Sequence, residues 1–333
     1  MLSSFKSISL RVALVVALTA TGFALAYWVS QSTAPVYPNA QARSSQFKNI
    51  AGSIRAASFG NSHNRALHFP TLQLKGFHRW WPGGDVFESL RAFEETAQGA
   101  ENLEYAFVTV SPFSLDNGSV SAVQPGRANI RHKVYIEYQN FQPISYDWKI
   151  AVRAAVSPVA RPDNWKGIVK VMLGQDVSVM TSSNGLPVRH EKIQLTHNKA
   201  EKSAKARSSH HVSLEEVSLS QNPDLCHDIE QAYQQIATIA QDENVQVILY
   251  TPPYMESYIA RISESGDICQ TGEVAEQLAN DRKNVWYLDF RRDEAMSGDI
   301  SLFRDSDHLD ATGMRVFSSR LRIKLSEKGV LVN

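Results

Sequence analysis

Short apolar strands alternate with amphipathic helices in this sequence. In the first half, Ile54 to Phe59 is an apolar run that ends at Gly60, and Tyr105 to Val110 is a second one. Between them, Asp85 and Glu88 have the spacing of a helix capping box, and apolar residues follow at helical intervals. A strand, a helix and a strand in this order predict an α/β fold with a parallel sheet.

The same alternation returns in the second half of the chain. Asn222 to Asp224 has the composition of a helix start, and apolar residues follow it at helical spacing through Ala240. Val245 to Tyr250 and Asn284 to Phe290 predict two further strands, and Asp310 to Leu325 predicts a closing helix. Because ligands bind beyond the carboxyl ends of the strands in open parallel sheets, the segments after these strands are where we expect the site.

Two of those segments contain the residues of a hydroxyl nucleophile and its base. Ser62 follows the first predicted strand, and Asp305 and His308 stand three positions apart just before the closing helix. An imidazole can take the proton of a serine hydroxyl while a carboxylate fixes the imidazole tautomer. The set predicts acyl-ester chemistry, and the neighbouring Asp307 is predicted to be a solvated or helix-capping carboxylate.

Both segments resemble sequence blocks of the SGNH (GDSL-like) hydrolase superfamily. Gly60-Asn61-Ser62 is similar to the turn that bears the nucleophile, and Asp305 with His308 is similar to the family's Asp-x-x-His block. The resemblance implies an SGNH-type (flavodoxin-like), doubly wound parallel sheet. It also implies that Ser62 is the nucleophile, His308 the general base and Asp305 the residue that orients it.

The family's oxyanion-hole blocks are matched less closely. The Gly-x-Asn-Asp block does not occur in this chain. The resemblance makes Gly83 or Gly84 the counterpart of the second-block glycine, and Asn117 is the nearest candidate for the missing asparagine. We therefore expect Gly84 and Asn117 to form the oxyanion hole, with weak or altered activity as the alternative.

Three more residues are candidates for substrate contacts, each with a structural alternative. His63 either contacts substrate or opens a short local helix, and Arg65 either neutralises an anionic substrate or forms a surface ion pair. Tyr254 either borders the pocket or packs under a loop. Asp and His side chains in these segments are possible metal ligands, but separated ligand blocks are lacking, so we expect neither a metal nor a cofactor.

The N-terminal region predicts export. Residues 12–29 contain no charged residue and follow Lys6 and Arg11, which is typical of a single transmembrane anchor with its N-terminus in the cytoplasm. The alternative is a signal peptide cleaved near Ala24-Leu25-Ala26. We predict a stub and anchor over 1–30, a polar linker over 31–48 and one α/β domain over 49–333.

Export permits a disulfide between the two cysteines of the chain. Cys226 and Cys269 both fall in the exported part, where an oxidising compartment allows them to pair. Two buried thiols are the alternative.

An insertion of about 100 residues, 118–221, interrupts the predicted alternation. Its first part, Arg127 to Lys149, mixes aromatic and cationic side chains, which suits a glycan or a membrane interface, or else packing on the domain. Its last part, Thr196 to Ser218, has little apolar content and is predicted to be a mobile loop. Lys and Arg number 34, as do Asp and Glu, so no global charge favours nucleic acid as a partner.

Together these features predict a serine esterase or O-acyltransferase in a bacterial inner membrane, with its catalytic domain in the periplasm. Tethering favours a substrate at the membrane, such as the O-acyl groups of a cell-envelope polysaccharide. The plan is similar to that of the SGNH proteins of teichoic-acid D-alanylation and polysaccharide O-acetylation, which implies a membrane-bound O-acyltransferase as a partner. The alternative is a non-catalytic envelope assembly protein that binds glycan or that partner.

Overall fold

The computed structural model describes residues 17, 19–22, 24, 46–80, 84–111, 195–221, 223–263 and 269–331. The chain divides into two compact units, residues 45–123 with 181–333, and residues 1–44 with 124–180. In the latter unit, the described residues 17, 19–22 and 24 are helical. Among the described residues, no helix combines the length and the apolar character needed to cross a membrane. Most of the predicted anchor, residues 12–29, lies outside the described part of the chain.

The larger unit is built on a five-stranded parallel sheet, as the alternation of strands and helices predicted. The strands are β1 (Ala56–Gly60), β2 (Gly76–Trp80), β3 (Tyr105–Thr109), β4 (Gln246–Thr251) and β5 (Val285–Asp289), and their order in the sheet is β2-β1-β3-β4-β5. Four of them coincide with predicted strands to within two residues. The order reverses between β1 and β3, which is the switch point where open α/β sheets bind ligands.

Eight helices accompany the sheet in the described residues. They are α1 (Phe69–Leu72), α2 (Val86–Gly99), α3 (His197–Gln221), α4 (Leu225–Asp242), α5 (Glu256–Ser263), α6 (Thr271–Asp281), α7 (Glu294–Ser297) and α8 (Ala311–Glu327). Residues 46–50 form a further helical turn, and 3₁₀ turns cover Ala51–Ser53, Ser62–Ala66 and Ile300–Leu302. The predicted capping box of α2 is confirmed, because Asp85 accepts from the Glu88 amide at 2.8 Å and the Glu88 carboxylate accepts from the Asp85 amide at 3.1 Å.

The helices cover both faces of the sheet. Phe59 of β1 packs against Phe93 of α2 with ring centroids 5.4 Å apart. Tyr250 of β4 points to the opposite face and packs against Phe317 of α8 at 5.8 Å. Successive side chains of a strand point to opposite faces, so strands covered on both sides are almost wholly apolar. Burial of every residue of β1 and β3 agrees with this pattern.

Strand β2 was not predicted, because its sequence carries polar residues into the core. His78 and Arg79 are both buried. His78 Nδ1 lies 2.8 Å from the Ser58 hydroxyl of β1, and Arg79 donates to Glu95 of α2 at 2.7 Å. These partners take up His78 Nδ1 and the charge of Arg79, which lowers the cost of burying them.

The prediction of a mobile loop over Thr196 to Ser218 is wrong, because this region forms most of helix α3. Among the side chains of α3 that the structure describes, up to Val212, the buried ones are Ala200, Ala204, Ser208 and His211, which lie on one face of the helix. Small and polar side chains on the buried face give no hydrophobic periodicity, so the helix has no signal of the usual kind. The rest of the predicted insertion, residues 118–194, lies outside the described residues.

A two-stranded antiparallel ribbon leads into the closing helix. It comprises β6 (Phe303–Asp305) and β7 (His308–Leu309). Gly313, in the first turn of α8, lies so close to the Leu302 carbonyl oxygen that a Cβ atom would collide with it. This contact fixes the start of α8 against the turn before the ribbon.

Cys226 and Cys269 form a disulfide, with Cα atoms 5.1 Å apart. Cys226 lies in the first turn of α4, and Cys269 precedes α6 by two residues. The bridge therefore ties together the starts of α4 and α6, the helices that immediately precede β4 and β5 in sequence.

Candidate active site

A tight turn at the end of β1 presents Ser62. Gly60 has φ +143°, and a Cβ atom there would lie 2.9 Å from the Thr109 side chain of β3, so only glycine fits without strain. The Asn61 side chain then accepts a hydrogen bond from the His63 amide at 2.9 Å and caps the 3₁₀ turn that begins at Ser62. Ser62 remains partly exposed, as a nucleophile must.

The β6–β7 ribbon presents Asp305 and His308 as paired residues on adjacent strands. The ribbon is held at its end by Asp310, which caps α8 by accepting from the amides of Thr312 and Gly313, both at 2.8 Å. Because Asp305 and His308 are paired across this ribbon, their side chains meet although they are three positions apart in sequence, with the carboxylate beside the imidazole.

Ser62, His308 and Asp305 form a continuous hydrogen-bonded chain. His308 Nε2 lies 2.7 Å from the Ser62 hydroxyl, and His308 Nδ1 lies 2.8 Å from Asp305 Oδ1. With Nδ1 carrying the proton toward the carboxylate, Nε2 is left to accept the serine proton. The structure thus brings together the three residues that the sequence predicted, in the order required for nucleophilic catalysis.

The surroundings favour a charged His308. Burial by itself lowers the pKa of His308, but the negative charges of Asp307 and Asp305 and the hydrogen bonds to both outweigh it, so the pKa lies above its ordinary value. Burial raises the pKa of Asp305, and the hydrogen bond from His308 more than offsets this, so Asp305 titrates below its ordinary value. The carboxylate therefore stays ionised and stabilises the imidazolium that forms during catalysis.

Asp307 is not the solvated or capping carboxylate that was predicted. Its side chain has no solvent exposure. Its Oδ2 lies 3.0 Å from His63 Nε2, and Arg207 of α3 donates from Nη2 to the same oxygen at 2.7 Å. Burial raises the pKa of Asp307, yet His308 and His63 hold it well below its usual range. A buried carboxylate is stable only when it is paired in this way.

His63 belongs to the same buried network. Its Nδ1 lies 3.3 Å from both the Ser111 and Tyr254 hydroxyls, while its Nε2 faces Asp307. Burial lowers the pKa of His63, and the Asp307 hydrogen bond offsets this only in part. Both ring nitrogens have protein partners, which favours the structural alternative for His63 over substrate contact.

A narrow depression opens beside Ser62 and His308. Its other lining residues are His63, Arg65, Ala66, Pro252, Pro253, Arg304, Asp307 and Leu309. Arg65 and Arg304 bring positive charge to this surface. Arg65 also lies over the Trp80 ring, 5.5 Å from its centroid, and Arg304 donates to Asp305 Oδ2 at 3.1 Å. A wider cavity, lined by residues 288–293 and Lys324, does not include the triad.

The remaining predicted site residues differ in where they lie. Tyr254 is fully buried with its hydroxyl toward His63, so its ring supports the site from inside and does not line the depression. Gly84 is buried next to Asp85, the cap of α2. Asn117 and Gly83 lie outside the described residues, so the oxyanion hole stays a prediction.

His63, Asp307 and His308 also have the spacing of possible metal ligands. Their ligand atoms lie within 4.8 Å of one another. However, the Arg207 guanidinium contacts both oxygens of Asp307, and both nitrogens of His308 are engaged with Ser62 and Asp305. These contacts favour a hydrogen-bonded network over a metal centre.

Two members of this network were missed from the sequence. Arg207 lies on the helix predicted as a loop, and Ser111 is an ordinary serine after β3. Neither residue stands in a recognisable sequence motif. Only the position of Ser111 at the carboxyl end of a central strand could have drawn attention to it.

A scan against protein-family models finds no match to this chain, and a search of the curated proteins finds none either.

Proposed function

We propose that this chain is an SGNH-type serine esterase or O-acyltransferase that acts on ester-linked acyl groups of a cell-envelope polysaccharide. The observation that carries the proposal is the chain of hydrogen bonds from Ser62 through His308 to Asp305, 2.7 and 2.8 Å long, beyond the carboxyl end of β1. Such a chain activates a hydroxyl that is otherwise a weak nucleophile at neutral pH.

The reaction proceeds in two half-reactions. Ser62 Oγ attacks the ester carbonyl while its proton passes to His308 Nε2, and the tetrahedral intermediate then expels the sugar oxygen, which takes that proton. The product is acyl-Ser62. Water or a sugar hydroxyl next gives its proton to His308 and attacks the acyl carbonyl, and the Ser62 oxygen then leaves and takes that proton back from His308, which completes hydrolysis or transfer. Gly84 and Asn117 remain the proposed donors to the oxyanion.

The envelope setting rests on the N-terminal segment. We place residues 12–29 as an uncleaved anchor, with Lys6 and Arg11 on the cytoplasmic side and the catalytic domain in the periplasm. The disulfide suits an oxidising compartment. Sequencing of the native N-terminus tests this placement: an intact N-terminal segment is expected, and a mature chain that begins at Tyr27 would contradict it.

A polysaccharide substrate is supported by the cationic and aromatic side chains of the chain. Arg65 and Arg304 line the depression beside Ser62, which suits an anionic glycan. The aromatic and cationic residues of Arg127 to Lys149 suit an acceptor sugar. A membrane-bound O-acyltransferase that delivers the acyl group is the partner we propose.

One observation favours a second candidate, a non-catalytic envelope assembly protein with the same fold. The sequence contains no Gly-x-Asn-Asp block, and an enzyme without an oxyanion donor loses about 10²–10³ in kcat. In that case the fold would bind glycan or a membrane acyltransferase without turnover.

Burst kinetics distinguish the two candidates. With an activated acetyl ester, we expect a rapid release of about one product equivalent per enzyme, then a slow steady state, because the acyl-enzyme forms faster than water removes it. Adding an acceptor oligosaccharide should accelerate the steady state and leave the burst unchanged. The measurement is stopped-flow product release together with mass spectrometry of the Ser62 peptide. Absence of both the burst and an acyl adduct would favour the assembly protein.

A further inference from the structure

Asp307 places a second carboxylate beside the general base. Its Oδ1 lies 3.5 Å from His308 Nδ1, the nitrogen that also bonds Asp305 at 2.8 Å. Asp307 is entirely buried, whereas the Asp305 side chain is about a quarter exposed. Because charges interact more strongly away from water, the buried carboxylate acts on His308 with less screening than an exposed one at the same distance would.

Helix α3 supplies the countercharge and also holds the segment that bears Asp307. The Arg207 guanidinium binds both oxygens of Asp307, through Nη2 at 2.7 Å and through Nε. One turn earlier on the same face, the Ser203 hydroxyl accepts from the Ser306 amide at 3.2 Å. Two consecutive residues between Asp305 and His308 are thus fixed by one helix that lies outside the sheet.

His63 does not compete with Arg207 as a countercharge. Burial lowers its pKa, so the ring is neutral at pH 7 and donates from Nε2 to Asp307, while Nδ1 accepts from a neighbouring hydroxyl. The guanidinium, in contrast, keeps its charge at all relevant pH values. Arg207 is therefore the permanent cation that balances Asp307.

Building on the proposed function, we propose that Asp307 and Arg207 are opposed positioning residues of the general base. The carboxylate stabilises the His308 imidazolium that forms when Ser62 gives up its proton. The guanidinium holds that carboxylate in place and limits its effect on His308. Helix α3, which was predicted from the sequence to be a loop, then takes part in positioning the general base.

Other charged and titratable groups lie around His308, Asp307 and Arg207, in four parts of the fold. They are Asp305 and Arg304 on the ribbon, His63 and Arg65 after β1, Arg207 and His211 on α3, and Tyr254 and Tyr258 after β4. Burial lowers the pKa of His211 to about 3 and raises that of Tyr254 well above its ordinary value. Of the three histidines in this cluster, His308 is the one whose pKa is raised, whereas the pKa values of His63 and His211 are lowered.

The two positioning residues should shift the titration of His308 in opposite directions. Asp307→Asn removes a negative charge, so the imidazolium is less stable and the midpoint should fall by about one to two pH units. Arg207→Gln removes a positive charge, so the midpoint should rise by about half to one pH unit. A merely structural role for the pair would not produce shifts of opposite sign.

The test is an NMR titration of the full-length protein labelled with ¹⁵N-histidine, with the His308 signal assigned from His308→Gln. In parallel, the acid limb of kcat/KM for a small acetyl ester should move with the NMR midpoint in each variant. For Asp307→Asn, the plateau at high pH should also drop by about ten- to a hundredfold, because a weaker base removes the serine proton less readily.

Two further variants serve as controls. Arg207→Lys keeps the positive charge, so the titration midpoint of His308 should lie within a few tenths of a pH unit of the wild-type value. Lysine nevertheless loses the two-point contact with Asp307. Arg261→Gln removes an exposed ion pair between α5 and Glu201 of the same helix α3, and should leave the midpoint unchanged.

Shifts in the same direction, or no shift in either folded variant, would overturn the proposal. If Asp307→Asn does not fold, the sign of the Arg207→Gln shift decides, because that side chain is one-third exposed and more tolerant of change. The NMR midpoint needs no turnover. An inactive wild type with the expected midpoints would therefore count against the esterase, whereas an active enzyme without the shifts would count against the positioning pair alone.

Discussion

Replacing Ser62 by alanine is expected to lower kcat/KM for a small ester by about three or more powers of ten. The reason is that Ser62 is the member of the hydrogen-bonded chain whose oxygen forms the covalent bond to the acyl group. His308→Ala should have a similar effect, and the double variant should be no worse than either single one, because residues that act as a unit are not additive.

Labelling with a fluorophosphonate probe gives a second measure of the same prediction. The wild type should be labelled at Ser62, and Ser62→Ala should not be labelled. Ser53→Ala is a matched control, because that serine is exposed and bonds a local carbonyl, that of Ile50 at 2.8 Å. Equal labelling of wild type and Ser62→Ala would remove Ser62 from the mechanism. Additive losses in the double variant would show that Ser62 and His308 do not act as a unit.

Removing the disulfide is expected to lower the free energy of unfolding by about 2–4 kcal/mol. Cys226 and Cys269 are 43 positions apart, and a loop of that size loses considerable entropy in the unfolded chain when it is closed. Urea unfolding of the wild type with and without reductant, compared with Cys226→Ala/Cys269→Ala, measures the difference. The wild type should become less stable when reduced.

The double cysteine variant provides the control for this experiment. Reductant should leave its urea midpoint unchanged, since it has no bridge to break. The slope of free energy against urea should also rise when the bridge is absent, because the unfolded chain then exposes more surface. Identical midpoints for oxidised and reduced wild type would show that the bridge does not contribute to stability.

Where the apolar pattern was regular, the sequence was sufficient to predict the elements. Strands β1, β3, β4 and β5 and helices α2, α4 and α8 were all predicted, because each buries large apolar side chains at the period of its own backbone. Strand β2 and helix α3 were missed for the opposite reason. Their buried faces carry histidine, arginine, alanine and serine, whose suitability for burial depends on partners elsewhere in the chain.

The residues of the site also fall into two groups, those that the sequence marks and those that only the fold reveals. Ser62, Asp305 and His308 could be selected from the sequence alone, because a glycine turn after a strand and an Asp-x-x-His spacing are local signals. The structure then brought these residues within hydrogen-bonding distance of one another.

Only the tertiary structure decided the role of Asp307 and its link to Arg207, 100 positions away in the chain. A carboxylate that stands between Asp305 and His308 in sequence has no local property that marks it as buried. Its environment is set by residues that reach it from α3 and from the turn after β1. Burial and ion pairing are properties of the assembled fold. The periodicity of apolar residues and the spacing of short motifs, in contrast, are properties of the sequence itself.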